Sequence, residues 1–393
     1  MTAAWSRTRL GELVRIKHGF AFSGMNQGLD KNLPVVVAIG NFDYSGGFRF
    51  GSTSTKRYAG SYPDDFRLSP GDVLLAMTCQ TSGGEILGVP GVIPADGQVY
   101  LHNQRLGKVE VTDPTRIDLG FVFQLARWSE FNQHLFATSS GSKILHTSPG
   151  RIEDFTFDLP PIGEQRAIAA TLNALDEKIE SNRAIVELVP KLIRTRVEAA
   201  LAIGVAGIPV ADLASFVNGG AYTKGASGVG RMVLRIAELN SGPGGSTVYN
   251  DIEVPDEKTA RAGDILMSWS GSLGVYRWFR DEAIINQHIF KVIPTDYPAW
   301  LVFDRLEAVM PVFQGIAKDK ATTMGHIQRG HLETTRVQMP QDDAIAELDA
   351  IVEPLWERLL LAERENVAAA SLRDALLPQL LSGRIRVPQE ATT

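Results

Sequence analysis

The chain has 393 residues, 44% hydrophobic and 21% charged, with a formal net charge of -6. This length and balance suit a globular protein of two or more domains, and the single Cys79 excludes an internal disulfide or a thiolate zinc cluster. No apolar run approaches the roughly 20 residues needed to cross a bilayer, and no apolar segment follows the charge at Arg7, so the expected location is the cytoplasm. The acidic total disfavours wholesale binding to polyanions but leaves room for a local basic face.

In chain order, Leu10-Gly11-Glu12-Leu13 leads through Lys17-His18 to Gly19-Phe20-Ala21-Phe22. The apolar runs Val35–Ile39 and Asp72–Met77 predict strands, set off by the turn signals Tyr44-Ser45-Gly46-Gly47 and Ser69-Pro70-Gly71-Asp72. An amide pair follows in His102-Asn103-Gln104-Arg105-Leu106, and Gly150-Arg151-Ile152 leads to Leu159-Pro160. Composition then switches to a glycine-poor stretch, about Pro161 to Ala202, with an apolar seam at Ile168, Leu172, Leu175, Ile179, Asn182, Val186, Val189 and Ile193. Spacings alternating between four and three predict a coiled-coil helix.

The second half repeats this plan. Val210-Ala211-Asp212-Leu213 and Gly219-Gly220-Ala221-Tyr222 echo the opening motifs, with Leu213 lying 200 positions after Leu13. Ala262-Gly263-Asp264-Ile265-Leu266-Met267 follows Pro70–Leu75 by 192 positions, and Ile285-Asn286-Gln287-His288-Ile289 follows His102–Leu106 by 183. Gly330-His331-Leu332, ending at Met339-Pro340, follows its counterpart by 180. Order is kept while the offset shrinks, as expected of an internal repeat with shorter loops. A second seam runs through Leu348, Val352, Leu355, Leu359, Ala362 and Asn366, drifting to Leu372 and Leu376. Pro190 and Pro354 fall inside the two helices and are expected to kink them. Asn182 and Asn366 read either as polar residues tolerated at a wet point or as residues that fix register.

The expected fold is therefore α+β: two similar globules separated by an antiparallel pair of long coiled-coil helices, an internal pseudo-two-fold repeat. The divisions are residues 1–160, 161–204, 205–340 and 341–393. A helix of about 40 residues would span about 60 Å and hold the globules apart. Two similar readers at a fixed separation suit a ligand that repeats along a line, and DNA is the obvious one.

Catalytic signatures are absent. Gly141-Ser142-Lys143 resembles the end of a phosphate loop, but Ile144 replaces the magnesium-binding hydroxyl. Gly242-Pro243-Gly244-Gly245-Ser246 lacks dinucleotide spacing, and His326, His331 and Glu333 do not place two imidazoles on one helix face. No catalytic residue, metal site or cofactor is assigned.

The stretch Leu159-Pro160-Pro161-Ile162-Gly163-Glu164-Gln165-Arg166-Ala167-Ile168-Ala169, running into Leu175-Asp176-Glu177-Lys178-Ile179, resembles the first conserved region of type I restriction–modification specificity (S) subunits. The segment from Leu372 to Val387 is similar to that family's C-terminal region, and the Gly-Asp and Asn-Gln motifs are similar to its target recognition domains. The resemblance implies a non-catalytic subunit. Each recognition domain would read one half of a bipartite double-stranded DNA target, with two methyltransferase subunits and, for restriction, motor-nuclease subunits as partners. Pro160, Pro161, Glu164, Gln165, Leu372, Leu376, Leu377 and Leu380 are its candidate docking residues. The second junction, Met339-Pro340-Gln341-Asp342-Asp343-Ala344, lacks the double proline and the Glu-Gln, which implies an altered second docking site.

For DNA contact, the acid-free stretch with Ser140, Gly141, Ser142, Lys143 and His146 stands first, alongside its counterpart with Lys318, Lys320, Thr323 and His326. Hydroxyls, glycines and cations suit close approach to phosphates, though a solvated loop has the same composition. After the Gly-Asp strands come Thr78, Gln80, Thr81 and Ser82, and Trp269, Ser270 and Ser272, which either reach base edges or, for Trp269, pack in the core. Asn103, Gln104 and Arg105, with Asn286, Gln287 and His288, either read bases or shape turns. Lys17, His18 and Lys224 are phosphate candidates. The competing reading is a structural adaptor whose globules bind proteins.

Overall fold

The computed structural model describes residues 5–51, 55–202, 206–319 and 325–387. The chain divides into two compact units, residues 1–177 with 370–393 and residues 178–369.

In the first unit, strand Ser6–Arg9 pairs antiparallel with Thr156–Leu159, tying the start of the globule to its end. A four-stranded antiparallel sheet has the order Val14–His18, Leu106–Val111, Val73–Ala76, Pro90–Val92. A five-stranded sheet places Val35–Val37 parallel to Tyr100–His102, with Arg67–Leu68 antiparallel on the far side. The strand expected over 35–39 stops at Val37 because Ile39–Asn41 turns into a 3-10 helix, its entry held by Asn41 Oδ1 accepting the Ala38 N–H at 2.9 Å. Helices α1 (Leu119–Ala126), α2 (Ser129–Thr138) and α3 (Pro149–Glu153) follow, and then α4 (Ile162–Leu201), which keeps Pro190 inside a continuous 40-residue helix.

The second unit repeats the strand order of the four-stranded antiparallel sheet, but its other sheet has four strands where the first unit has five. Ala206–Pro209 pairs with Arg336–Met339, and one sheet has the order Ala214–Asn218, Ile289–Pro294, Ile265–Ser268, Gly274–Arg277. In the other sheet Arg231–Leu234 runs parallel to Ala283–Ile285, which Thr259–Ala260 flanks antiparallel. Its helices are α5 (Ile236–Ser241), α6 (Ala299–Asp319), α7 (Arg329–Thr334) and α8 (Asp342–Leu381). Among the described residues no helix is long and apolar enough to cross a membrane.

The Gly-Asp motif has one physical explanation in both units. Gly71 and Gly263 adopt φ of +87° and +98°, the left-handed region that glycine enters without strain. Asp72 and Asp264 then close the turn, accepting the backbone N–H of Ser69 at 2.8 Å and of Arg261 at 2.6 Å. Each carboxylate also pairs with a lysine on an adjoining strand, Lys108 at 2.8 Å and Lys291 at 2.7 Å. The motif is a turn locked to its sheet.

Each unit takes part of both long helices, and within each the segments run antiparallel. In the first unit Arg386 pairs with Glu164, while Arg373, earlier on the chain, pairs with Asp176, later on α4. Ile168, Leu172, Leu377 and Leu380 enter its core beside Leu74, Phe121 and Phe157. In the second unit Val189, Ile193, Leu348, Val352 and Leu359 pack with Trp300 and Phe313. The seam expected to drift to Leu372 takes another course. Leu372 is 50% exposed, and Ala369, Arg373, Leu377 and Leu380 hold the buried face, as steps of four and three from Ala369 require.

Asn182 is fully buried. Its amide donates to Glu365 Oε2 at 2.9 Å, and its carbonyl accepts from Arg358 Nη2 at 2.9 Å. Lys178 completes the group at 2.8 Å from Glu365. Asn366, by contrast, leaves its Oδ1 buried without a partner among the described residues.

Candidate nucleic-acid interface

Four segments that lie far apart in sequence meet pairwise in each unit. In the first, Gly19-Phe20 approaches the Asn103-Gln104 turn so closely that Phe20 N–H donates to the His102 carbonyl and Gln104 N–H to the Phe20 carbonyl, both at 2.9 Å. Gly220 forms the matching bridge to Asn286 in the second. The loop after the Gly-Asp strand is stitched to the hydroxyl-rich loop: Thr78–Cys79 pairs with Leu145–His146, and Ser140 exchanges backbone hydrogen bonds with His146. In the second unit Ser270 bridges His326, and Ile327 N–H donates to the Trp269 carbonyl at 3.0 Å.

This assembly separates exposed side chains from structural ones. His18, Gln80, Thr81, Ser82, Gln104, Arg105, Ser140, Ser142, Lys143 and His146 are exposed in the first unit, as are Lys224, Ser272, Gln287 and Lys318 in the second. Lys143 has no hydrogen-bond or ion-pair partner among the described residues, so its charge is available. Gly141 has a φ of +105°, and a Cβ there would lie 2.0 Å from the Ile144 carbonyl oxygen, so this glycine makes a tight turn. His288 and His326 are half-buried. Lys320 and Thr323 lie outside the described residues.

Several expectations are corrected. Thr78 is only 3% exposed, with Oγ1 3.1 Å from His146 Nδ1; it clamps two loops together and cannot reach DNA. Ser270 and Asn286 are buried as well. Asn103 Oδ1 accepts the Arg105 N–H at 3.2 Å, so this amide shapes the turn that displays its neighbours. Lys17, half-buried, is committed within the unit, donating to the Asp65 carbonyl at 3.0 Å and lying over the Phe66 ring. Trp269 is half-buried, its ring against His288 and Phe290 and its Nε1 donating to Asn218.

The candidate docking residues divide similarly. Glu164 is buried, accepting from Arg386 at 2.8 Å and from Trp5 Nε1 at 2.9 Å. Gln165, fully buried, accepts the Asp118 N–H and donates to the carbonyls of Arg116 and Pro160. Pro160, Leu377 and Leu380 are buried too. A buried side chain cannot present itself to a partner, so these five hold the first unit together. Pro161, Leu372 and Leu376 keep exposed surface.

Sequence reasoning missed one feature. A cleft of about 460 Å³ in the first unit brings Gln80, Asn103, Gln104 and Arg105 together with Gln27, Asn41 and Lys56. No motif marks Lys56; the pairing of Arg57–Tyr58 with Gln27–Gly28 and with Val35 carries it to the cleft.

A duplicated β-rich unit, each copy joined to segments of two long helices, displays amides and cations on stitched loops. Residues 3–191 match the type I restriction modification DNA specificity domain. The chain is 26% identical over 205 residues to the EcoBI specificity subunit of Escherichia coli, covering 52% of this chain and 39% of that protein. It is 24% identical over 178 residues to the EcoKI specificity subunit of Escherichia coli (strain K12), covering 39% and 38%. These matches span about two fifths of the length of the curated relatives. In fold it resembles the S subunit of a type I restriction-modification system from M. genitalium, with a TM-score of 0.67, 14% identity and 96% of each chain covered. Residues 3–191, just under half of the chain, are thus similar to the type I restriction–modification specificity domain.

Proposed function

We propose that this chain is the non-catalytic DNA-recognition subunit of a type I restriction–modification complex. Residues 1–160 and 205–340 each read one half of a bipartite duplex target. Residues 161–204 and 341–393 supply the helices on which two methyltransferase subunits dock, with a motor-nuclease joining for restriction. The observation that carries this reading is the repetition, in both units, of one constellation: a Gly-Asp strand whose following loop is stitched to a second loop, beside a clamped Asn-Gln turn. Exposed Lys143 and Lys224 are the phosphate contacts of this account.

Two measurements test it. Duplex binding should weaken steeply with salt, because neutralised phosphates release counterions on binding. Adenine methylation should require S-adenosylmethionine and a methyltransferase subunit together with this chain. A salt-independent association, with protein partners only, would favour an adaptor. Methyl transfer by this chain alone would contradict the proposal.

A further inference from the structure

The cleft of the first unit has an unusual inventory. Among the described residues its lining contains no Asp or Glu, and it carries two cations, Lys56 and Arg105, with the amides Gln80 and Gln104. All four of these side chains are exposed at the cleft, and none has a hydrogen-bond or ion-pair partner among the described residues. Most other arginines of this unit, Arg49, Arg57 and Arg127 among them, are tied to carboxylates, amides or carbonyls. The turn that carries Gln104 and Arg105 is held from both sides, by the Phe20 carbonyl and by Asn103 Oδ1. An uncommitted guanidinium on a fixed turn, beside two uncommitted amides, is a donor and acceptor set that matches a planar polar ligand.

We infer that this cleft reads base edges in the major groove, and that Arg105 reads a guanine. A guanidinium fork matches the O6 and N7 acceptors of guanine with two parallel hydrogen bonds, and a glutamine amide matches the N6 and N7 of an adjoining adenine. The inference rests on the DNA-reading function proposed above and adds the base class read by one half of the target.

The test is selection of binding sites from a random duplex pool by the full chain in complex with methyltransferase subunits. The wild-type complex should recover a bipartite target with a guanine in one half. Arg105→Gln should lose roughly 10–100-fold of its discrimination at that single position, leaving the other half unchanged. Arg105→Lys keeps the charge but lacks the fork, and should relax the same position. Replacing that guanine by 7-deazaguanine should weaken wild-type binding and leave Arg105→Gln unaffected. The Arg105 guanidinium makes no hydrogen bond or ion pair among the described residues, so equal melting temperatures are expected. A uniform loss for all sequences, with the salt slope reduced by about one, would make Arg105 a phosphate contact and overturn the inference. An unchanged target in both variants would overturn it too. A wild-type complex that recovers no bipartite target overturns the DNA-reading function itself.

Discussion

Gly19 and Asn103 meet backbone to backbone: a Cβ on Gly19 would lie 2.1 Å from the Asn103 carbonyl oxygen. Gly219 and Asn286 repeat the relationship at 2.2 Å. In both places the obstacle is main chain rather than a flexible side chain, so it cannot step aside. Gly19→Ala should therefore push the Asn103–Arg105 turn away from its seat and destabilise the first unit by about 1–3 kcal/mol. Discrimination at one half of the target should fall, and Gly219→Ala should affect only the other half. Denaturant unfolding and site selection measure the two effects.

His102 precedes that turn and makes its setting pH-dependent. It is 1% exposed, with Nε2 donating to the Leu106 carbonyl at 2.9 Å. Burial, helped by the charges of Lys108, Lys17 and His18, pushes the imidazole down to about 4. The unfolded chain then binds a proton that the folded chain refuses between about pH 6.5 and 4. Stability from this group is present above 6.5 and is lost as pH falls through that window, by up to about 3 kcal/mol. His102→Gln should flatten this part of the stability–pH curve. An unchanged slope would show that the loss comes from other groups.

Asn182 offers a test of the helix pair. Its two hydrogen bonds join α4 to both Arg358 and Glu365 of α8. Asn182→Ala leaves these charged groups short of a partner and should cost about 1–3 kcal/mol. A double-mutant cycle with Arg358→Ala should show coupling, and strict additivity would mean that the contact contributes nothing.

Glu164 distinguishes a structural role from a docking one. Glu164→Gln weakens its contact with Arg386 and should destabilise the first unit by about 1–2 kcal/mol, because Arg386 is partly exposed and screened. Affinity for a methyltransferase subunit should be unchanged at temperatures where the variant is folded. Lost affinity with unchanged stability would return Glu164 to the docking surface.

The long helices were legible because their seams alternate by fours and threes over a glycine-poor stretch, and α4 begins and ends within one residue of the expected bounds. The repeat was legible because Gly71 and Gly263, with Asp72 and Asp264, perform the same local task, and a local turn leaves a local signature. The cleft was not legible. It depends on Tyr100–His102 lying parallel to Val35–Val37, a pairing that alternation along one strand cannot specify. For the same reason the sequence could not separate Gln80, which is exposed, from Thr78, whose side chain turns inward two residues earlier. Glu164 and Gln165 were misjudged because a polar pair at a helix start resembles a surface motif until its partners, Arg386 and Asp118, come close.

Replacing residues 205–340 with the matching segment of a family member of different specificity, then mapping methylated adenines across the genome, tests the central claim most directly. If each globule reads its own half, one half of the target changes and the other is retained base for base. A target altered in both halves, or in neither, would contradict the account.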